Sequence, residues 1–158
     1  MSLTDIVKKL YSKYKSDVKY NTSLILSEIA APFGAAGIAY MGDTINLNHY
    51  VSSIGGGITG NYVSAVATFV AAWYFLNKKV YKNNIGKFAK EMSEIILKNL
   101  PPAAVSYIVY SPIAAGFTYL GSEPEKSAFY ASILSSAIFI AGSNIINQRI
   151  ISKYRNKS

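Results

Sequence analysis

Four apolar blocks, each close to the length that a bilayer's hydrocarbon core demands, constrain this chain more than any other feature. They fall at about 24–41, 59–76, 102–120 and 128–146. A helix rising 1.5 Å per residue needs about 20 apolar residues to cross roughly 30 Å of hydrocarbon. With 158 residues and 51% of them hydrophobic, little is left beyond the blocks and their connections. The expectation is one all-α domain over residues 1–158, polytopic in the membrane, with four transmembrane helices. Residues 1–20 carry five lysines and no continuous apolar core, so a cleaved signal peptide is not expected. The absence of cysteine excludes disulfides, thiolate metal sites and cysteine nucleophiles.

Charge sets an expected orientation. Of 16 Lys and Arg, five precede the first block (Lys8 to Lys19), six lie between the second and third (Lys78 to Lys98) and four follow the fourth (Arg149 to Lys157), leaving Lys126 alone elsewhere. The other two connections carry Asp43, Glu123 and Glu125 with the single histidine, His49. By the positive-inside rule both termini and the middle connection are cytoplasmic, and the cell membrane is the expected location. A net charge of +8 confined to span-flanking segments reads as attraction to anionic headgroups, on the order of 1 kcal/mol per residue, rather than to nucleic acid. Membrane lipids are therefore the first expected partner.

The two halves repeat. An offset of 79 sets 27–42 over 106–121 and matches Ser27, Ile29, Ala35, Ala36, Gly37, Tyr40 and Gly42 to Ser106, Ile108, Ala114, Ala115, Gly116, Tyr119 and Gly121. An offset of 70 matches Ala67, Phe69, Ala71 and Asn77 to Ala137, Phe139, Ala141 and Asn147. Two spans per unit make the copies parallel (repeat 1, 1–82; repeat 2, 83–158), related by an axis near the membrane normal. Residues 3–18 and 85–100 show helical spacing of apolar side chains with lysines opposite, so each repeat is expected to open with an amphipathic helix lying in the cytoplasmic interface. Docking on a partner helix is the competing reading.

The segment 43–61 is expected to be a surface loop, or else a re-entrant segment, with Gly55–Gly57 breaking any helix. Small residues in every span suit close helix approach, and a bundle this small is expected to be a homo-oligomer or a subunit of a membrane complex. Tyr40, Trp73, Tyr74, Tyr107 and Tyr119 near span ends suit aromatic belts. Glu28 is the one acidic residue inside a span, about four residues from its cytoplasmic end, where it could snorkel or pair with Lys19. Pro32 and Pro112 are expected to bend corresponding helices. No metal-ligand cluster and no Ser-His-Asp set is evident, so neither an enzyme nor a cofactor is expected.

The duplicated hairpin and the ends of the second spans, WYFLNKKVYK (73–82) and SNIINQRIISK (143–153), resemble the GtrA-like family of small four-helix membrane proteins, with its Asn followed by basic residues. That resemblance implies a role in cell-surface glycan assembly, moving or presenting a polyprenyl-phosphate-linked sugar. The residues it marks are Asn77, Lys78, Lys79, Asn147 and Arg149, whose amides and cations could hold a lipid phosphate by charge-assisted hydrogen bonds. Equally, the Asn could cap a helix end while the cations anchor it at the headgroups. Two further functions stay open: a non-catalytic scaffold or accessory subunit recruiting an enzyme, and a small ion- or proton-coupled carrier using Glu28.

Overall fold

A computed structural model describes the chain over residues 3–155, with side chains described except at 3, 6–11, 13 and 147–155. It is all-α: α1 (Leu3–Thr44), a π-helical stretch (Val51–Gly56), α2 (Gly57–Leu76), a single turn α3 (Lys78–Tyr81), α4 (Ile85–Tyr119) and α5 (Pro124–Arg155), with no strand among the described residues. Three helical segments are long and apolar enough to cross a membrane: Tyr14–Thr44, Ile85–Tyr119 and Pro124–Ile146. The remaining one, α2, has 20 residues and no charged side chain.

Helix lengths correct the expected interfacial helices. Residues 3–18 and 85–100 are not separate elements; each is the first half of a continuous helix, α1 of 42 residues and α4 of 35. At 1.5 Å per residue these run roughly 63 and 52 Å, far beyond a hydrocarbon core of about 30 Å. No glycine or proline interrupts 19–23, so nothing ends α1 between its polar and apolar halves. In α4 the apolar face of 85–100 is used inside the protein. Met92 and Ile95 are buried with Tyr20, Trp73 and Tyr81, and Phe88 packs edge-on to Tyr81 at 5.1 Å. Trp73 is thus a core residue, 6% exposed, and not part of an aromatic belt, whereas Tyr40 and Tyr119 are exposed.

The segment 43–61 is likewise mostly helical, with only a short turn before residue 49. Gly55–Gly57 do not break the helix; Gly55 faces open space, while Gly56 and Gly57 lie where α1, Tyr110 and Ala128 come close. A methyl group on Gly57 would overlap the Tyr110 hydroxyl, and one on Gly56 would sit 3.2 Å from Cα of Ala39. One turn further, Gly60 and Gly34 face each other so closely that a methyl group on either would overlap the other's carbonyl oxygen. Ser64 then donates to the Ala30 carbonyl at 3.1 Å. Small residues thus bring α1 and α2 together as predicted, although Gly37 faces open space.

The hairpin α1–α2 meets the hairpin α4–α5 mainly through α1 against α5, while α2 and α4 touch only sparsely. Two layers of core close the bundle. At the basic end Tyr20, Leu24, Phe69, Trp73, Tyr81, Met92 and Ile95 form a cluster rich in aromatic rings. At the other end a small-residue layer of Ala35, Ala39, Ala114, Ala128 and Ala131 surrounds Tyr110. Tyr110 donates toward the Ser53 and Ala128 carbonyls, at 3.0 and 3.3 Å. At the start of α5, Lys126 is tied at 2.6 Å to Glu123 in the preceding turn, and that hydrogen bond holds the Glu123 carboxyl below its ordinary range. The single cation of this end is therefore offset, which sharpens the charge asymmetry between the two ends.

Candidate functional site: a cavity between the hairpins

On each of the four long helices a stretch between the two core layers turns toward a common space. It is lined by 24–28 of α1, 61–69 of α2, 95–107 of α4 and 135–139 of α5, and encloses about 60 Å³ with an opening to the exterior. The sparse packing of α2 on α4 leaves room for it. Leu24, Val66, Phe69, Ile96 and Phe139 make much of the wall apolar.

Positions related by the sequence repeat reach this cavity together. Leu24, Ser27 and Glu28 line it with their counterparts at the 79 offset, Ala103, Ser106 and Tyr107. Ala65, Val66 and Phe69 do so with their counterparts at the 70 offset, Ser135, Ser136 and Phe139.

Glu28 is the only charged residue in the lining, half-buried, with Ser136 close by. No ion pair reaches it among the described residues. The expected pairing with Lys19 is not made: Lys19 Nζ instead donates to Asn77 Oδ1 at 2.9 Å. Tyr107, expected at the membrane interface, is part of the cavity wall and donates to Asn61 Oδ1 at 3.4 Å. Asn61 in turn donates to Ser132 Oγ at 2.5 Å, deep between α2 and α5. Pro32, four residues after Glu28, has no amide proton to give to the Glu28 carbonyl, so side chain and backbone at position 28 both offer acceptors.

The residues marked by the lipid-phosphate reading lie elsewhere. Asn77 ends α2: its side-chain amide donates to the Trp73 carbonyl at 2.9 Å while its oxygen accepts from Lys19. Lys78 and Lys79 are exposed on α3, outside the cavity. Asn147 and Arg149 lie in the last part of α5, and their side chains fall outside the described residues. The sequence reading missed Asn61, Asn99, Ser135 and Ser136. In sequence, Asn61 falls at the junction of the 43–61 connection and the second block and Asn99 in the amphipathic segment 85–100, while Ser135 and Ser136 count only among the small residues of the fourth block; Ser27 and Ser106, matched in the repeat, give a trace of the polar cluster. Among the described residues no group of three His, Cys, Asp or Glu is placed to hold a metal. No family model, no curated protein and no solved structure matches this chain.

Proposed function

We propose that this chain is a small carrier of the cell membrane, with four crossings arranged as two parallel hairpins and both termini cytoplasmic. It takes its ligand into the cavity between the hairpins and exchanges it against an ion or proton at Glu28. The observation that carries this reading is Glu28 itself, the single charged group in an otherwise apolar and hydroxyl-bearing cavity. A carboxylate placed inside a membrane protein without a cationic partner is costly, and such groups mark ligand and proton pathways. The uncharged 20-residue α2 supplies the fourth crossing, and the repeat-related lining supports an internal duplication.

Reconstitution into liposomes with an internal pH dye tests it. Solute addition should drive proton movement that is lost in Glu28→Gln and kept in a Lys78→Ala/Lys79→Ala variant. Flux indifferent to Glu28→Gln would overturn the reading.

A second reading rests on the exposed lysines 78, 79 and 82 at the end of α2, which could meet the phosphate of a lipid-linked sugar. It expects translocation of a labelled polyprenyl-phosphate sugar that survives Glu28→Gln and fails in the lysine variant. No flux of any kind, with a glycosyltransferase co-purifying, would instead assign the chain as an accessory subunit.

A further inference from the structure

The hydrogen-bonding capacity of the cavity is lopsided. Ser27 and Ser106 give their hydroxyl protons to the carbonyls three residues back, Leu24 and Ala103, at 2.7 and 2.8 Å. Ser135 and Ser136 both donate to the Ser132 carbonyl, at 3.1 and 2.9 Å. Asn61 turns an N–H onto Ser132, and Tyr107 spends its proton on Asn61. A hydroxyl has one proton but two lone pairs, so each of these groups, its donor used, faces a ligand as an acceptor. Glu28 adds two carboxylate oxygens. Against them stand the Tyr62 hydroxyl and the second amide protons of the asparagines. The lining is negative, rich in acceptors, poor in donors and walled by Phe69, Phe139 and aliphatic side chains.

We infer that this cavity binds a protonated primary amine carried on an apolar body. The inference rests on the reading of Glu28 as the ligand-facing carboxylate and names the chemistry that carboxylate selects. An alkylammonium brings one positive charge and three N–H donors, which match the carboxylate and the hydroxyl lone pairs around it. A quaternary ammonium brings the charge without donors and leaves buried acceptors unmatched. An anion meets the Glu28 carboxylate and few donors, and is repelled. A divalent metal finds one carboxylate and no further ligand cluster among the described residues. The ligand's hydrocarbon part fits the apolar wall.

The protein carries its own reporter. Trp73 is the single tryptophan, and it stacks on Phe69 with centroids 6.3 Å apart and planes 7° from parallel, Phe69 being part of the cavity wall. Purified full-length protein in nanodiscs at pH 7, where an alkylammonium with a pKa near about 10 is charged, would be titrated by tryptophan fluorescence. The probes are 2-phenylethylammonium, its N,N,N-trimethyl derivative, 2-phenylethanol and 3-phenylpropanoate. The expected result is a saturable change with the primary ammonium, binding at least about tenfold weaker for the trimethyl compound and the alcohol, and none for the carboxylate. Glu28→Gln should weaken the ammonium at least about tenfold and Ser136→Ala about threefold.

Equal binding of the alcohol or the trimethyl compound, tighter binding of the carboxylate, or no saturable response to any probe overturns the inference. So does unchanged affinity in Glu28→Gln. Should that variant fail to fold, the probe series on the unmodified protein and Ser136→Ala still decide. Selective amine binding without flux in liposomes would sink the carrier reading and leave the amine site standing; Glu28-dependent flux of other solutes without amine binding would do the reverse.

Discussion

Tyr20 donates to Asn99 Oδ1 across 3.4 Å, and the two residues stand 79 positions apart, the offset that superposes the two halves of the sequence. Were the two halves copies related by an axis, residues at equivalent places could touch only near it. The contact therefore sits where such an axis would run, at the basic end of the cavity, next to the Tyr20–Phe69–Trp73 cluster. Further along the two helices the matched positions differ in chemistry. About two turns later, Glu28 matches Tyr107 at the same offset, and both line the same space.

Glycine at the α1–α2 contact should be irreplaceable in one place and dispensable in another. Gly60→Ala drives a methyl group into the Gly34 carbonyl and is expected to destabilise by about 1–3 kcal/mol. Gly37→Ala points into open space and should be neutral or stabilise by up to about 1 kcal/mol, since alanine favours the helix. Thermal unfolding of both variants in the same detergent measures the contrast.

Tyr110→Phe removes the hydroxyl that joins Ser53 and Ala128 at the end opposite the lysines, while keeping the ring that fills the alanine layer. A loss of about 1 kcal/mol is expected, with the fold retained. Proteolysis near 51–56 should accelerate relative to the unmodified protein, because the π-helical stretch loses an anchor. Unchanged unfolding and unchanged cleavage would show that the bond contributes nothing.

Lys19 and Asn77 tie α1 to the end of α2. In a double-mutant cycle with Lys19→Ala and Asn77→Ala, a coupling of about 0.5–1 kcal/mol is expected in unfolding free energy. Additive effects would mean that Asn77 serves only its own helix end through Trp73.

Topology can be read directly, because the chain has no cysteine of its own. Ile45 lies 70% exposed in the turn after α1, and Lys79 is exposed after α2. If α2 crosses the membrane, Lys79→Cys is labelled by an impermeant maleimide only from the cytoplasmic side and Ile45→Cys only from the other. Labelling of both from one side would leave three crossings.

The sequence by itself determined that the chain is helical and apolar, where its lysines gather, and which positions in the two halves correspond. Each of those properties is local or periodic: apolar run length, charge placement and residue identity at a fixed offset can be read without knowing any contact. It also singled out Glu28 and, through the matched serines 27 and 106, touched the edge of the polar cluster.

Only the tertiary structure decided the rest, because it depends on which surfaces meet. Gly55–Gly57 looks like a helix breaker in isolation, yet Ala39 approaches Gly56 and Tyr110 approaches Gly57 so closely that glycine is what fits at those two positions. The amphipathic halves of α1 and α4 suggested helices lying on a membrane, but in α4 the apolar face is claimed by Tyr20, Trp73 and Tyr81. Lys19, near enough in sequence to serve Glu28, is taken by Asn77 from another helix, and that one exchange leaves the Glu28 carboxyl facing a cavity without a cation. A carboxylate's role depends on its partner, and the partner is chosen by packing between helices that the sequence does not place side by side.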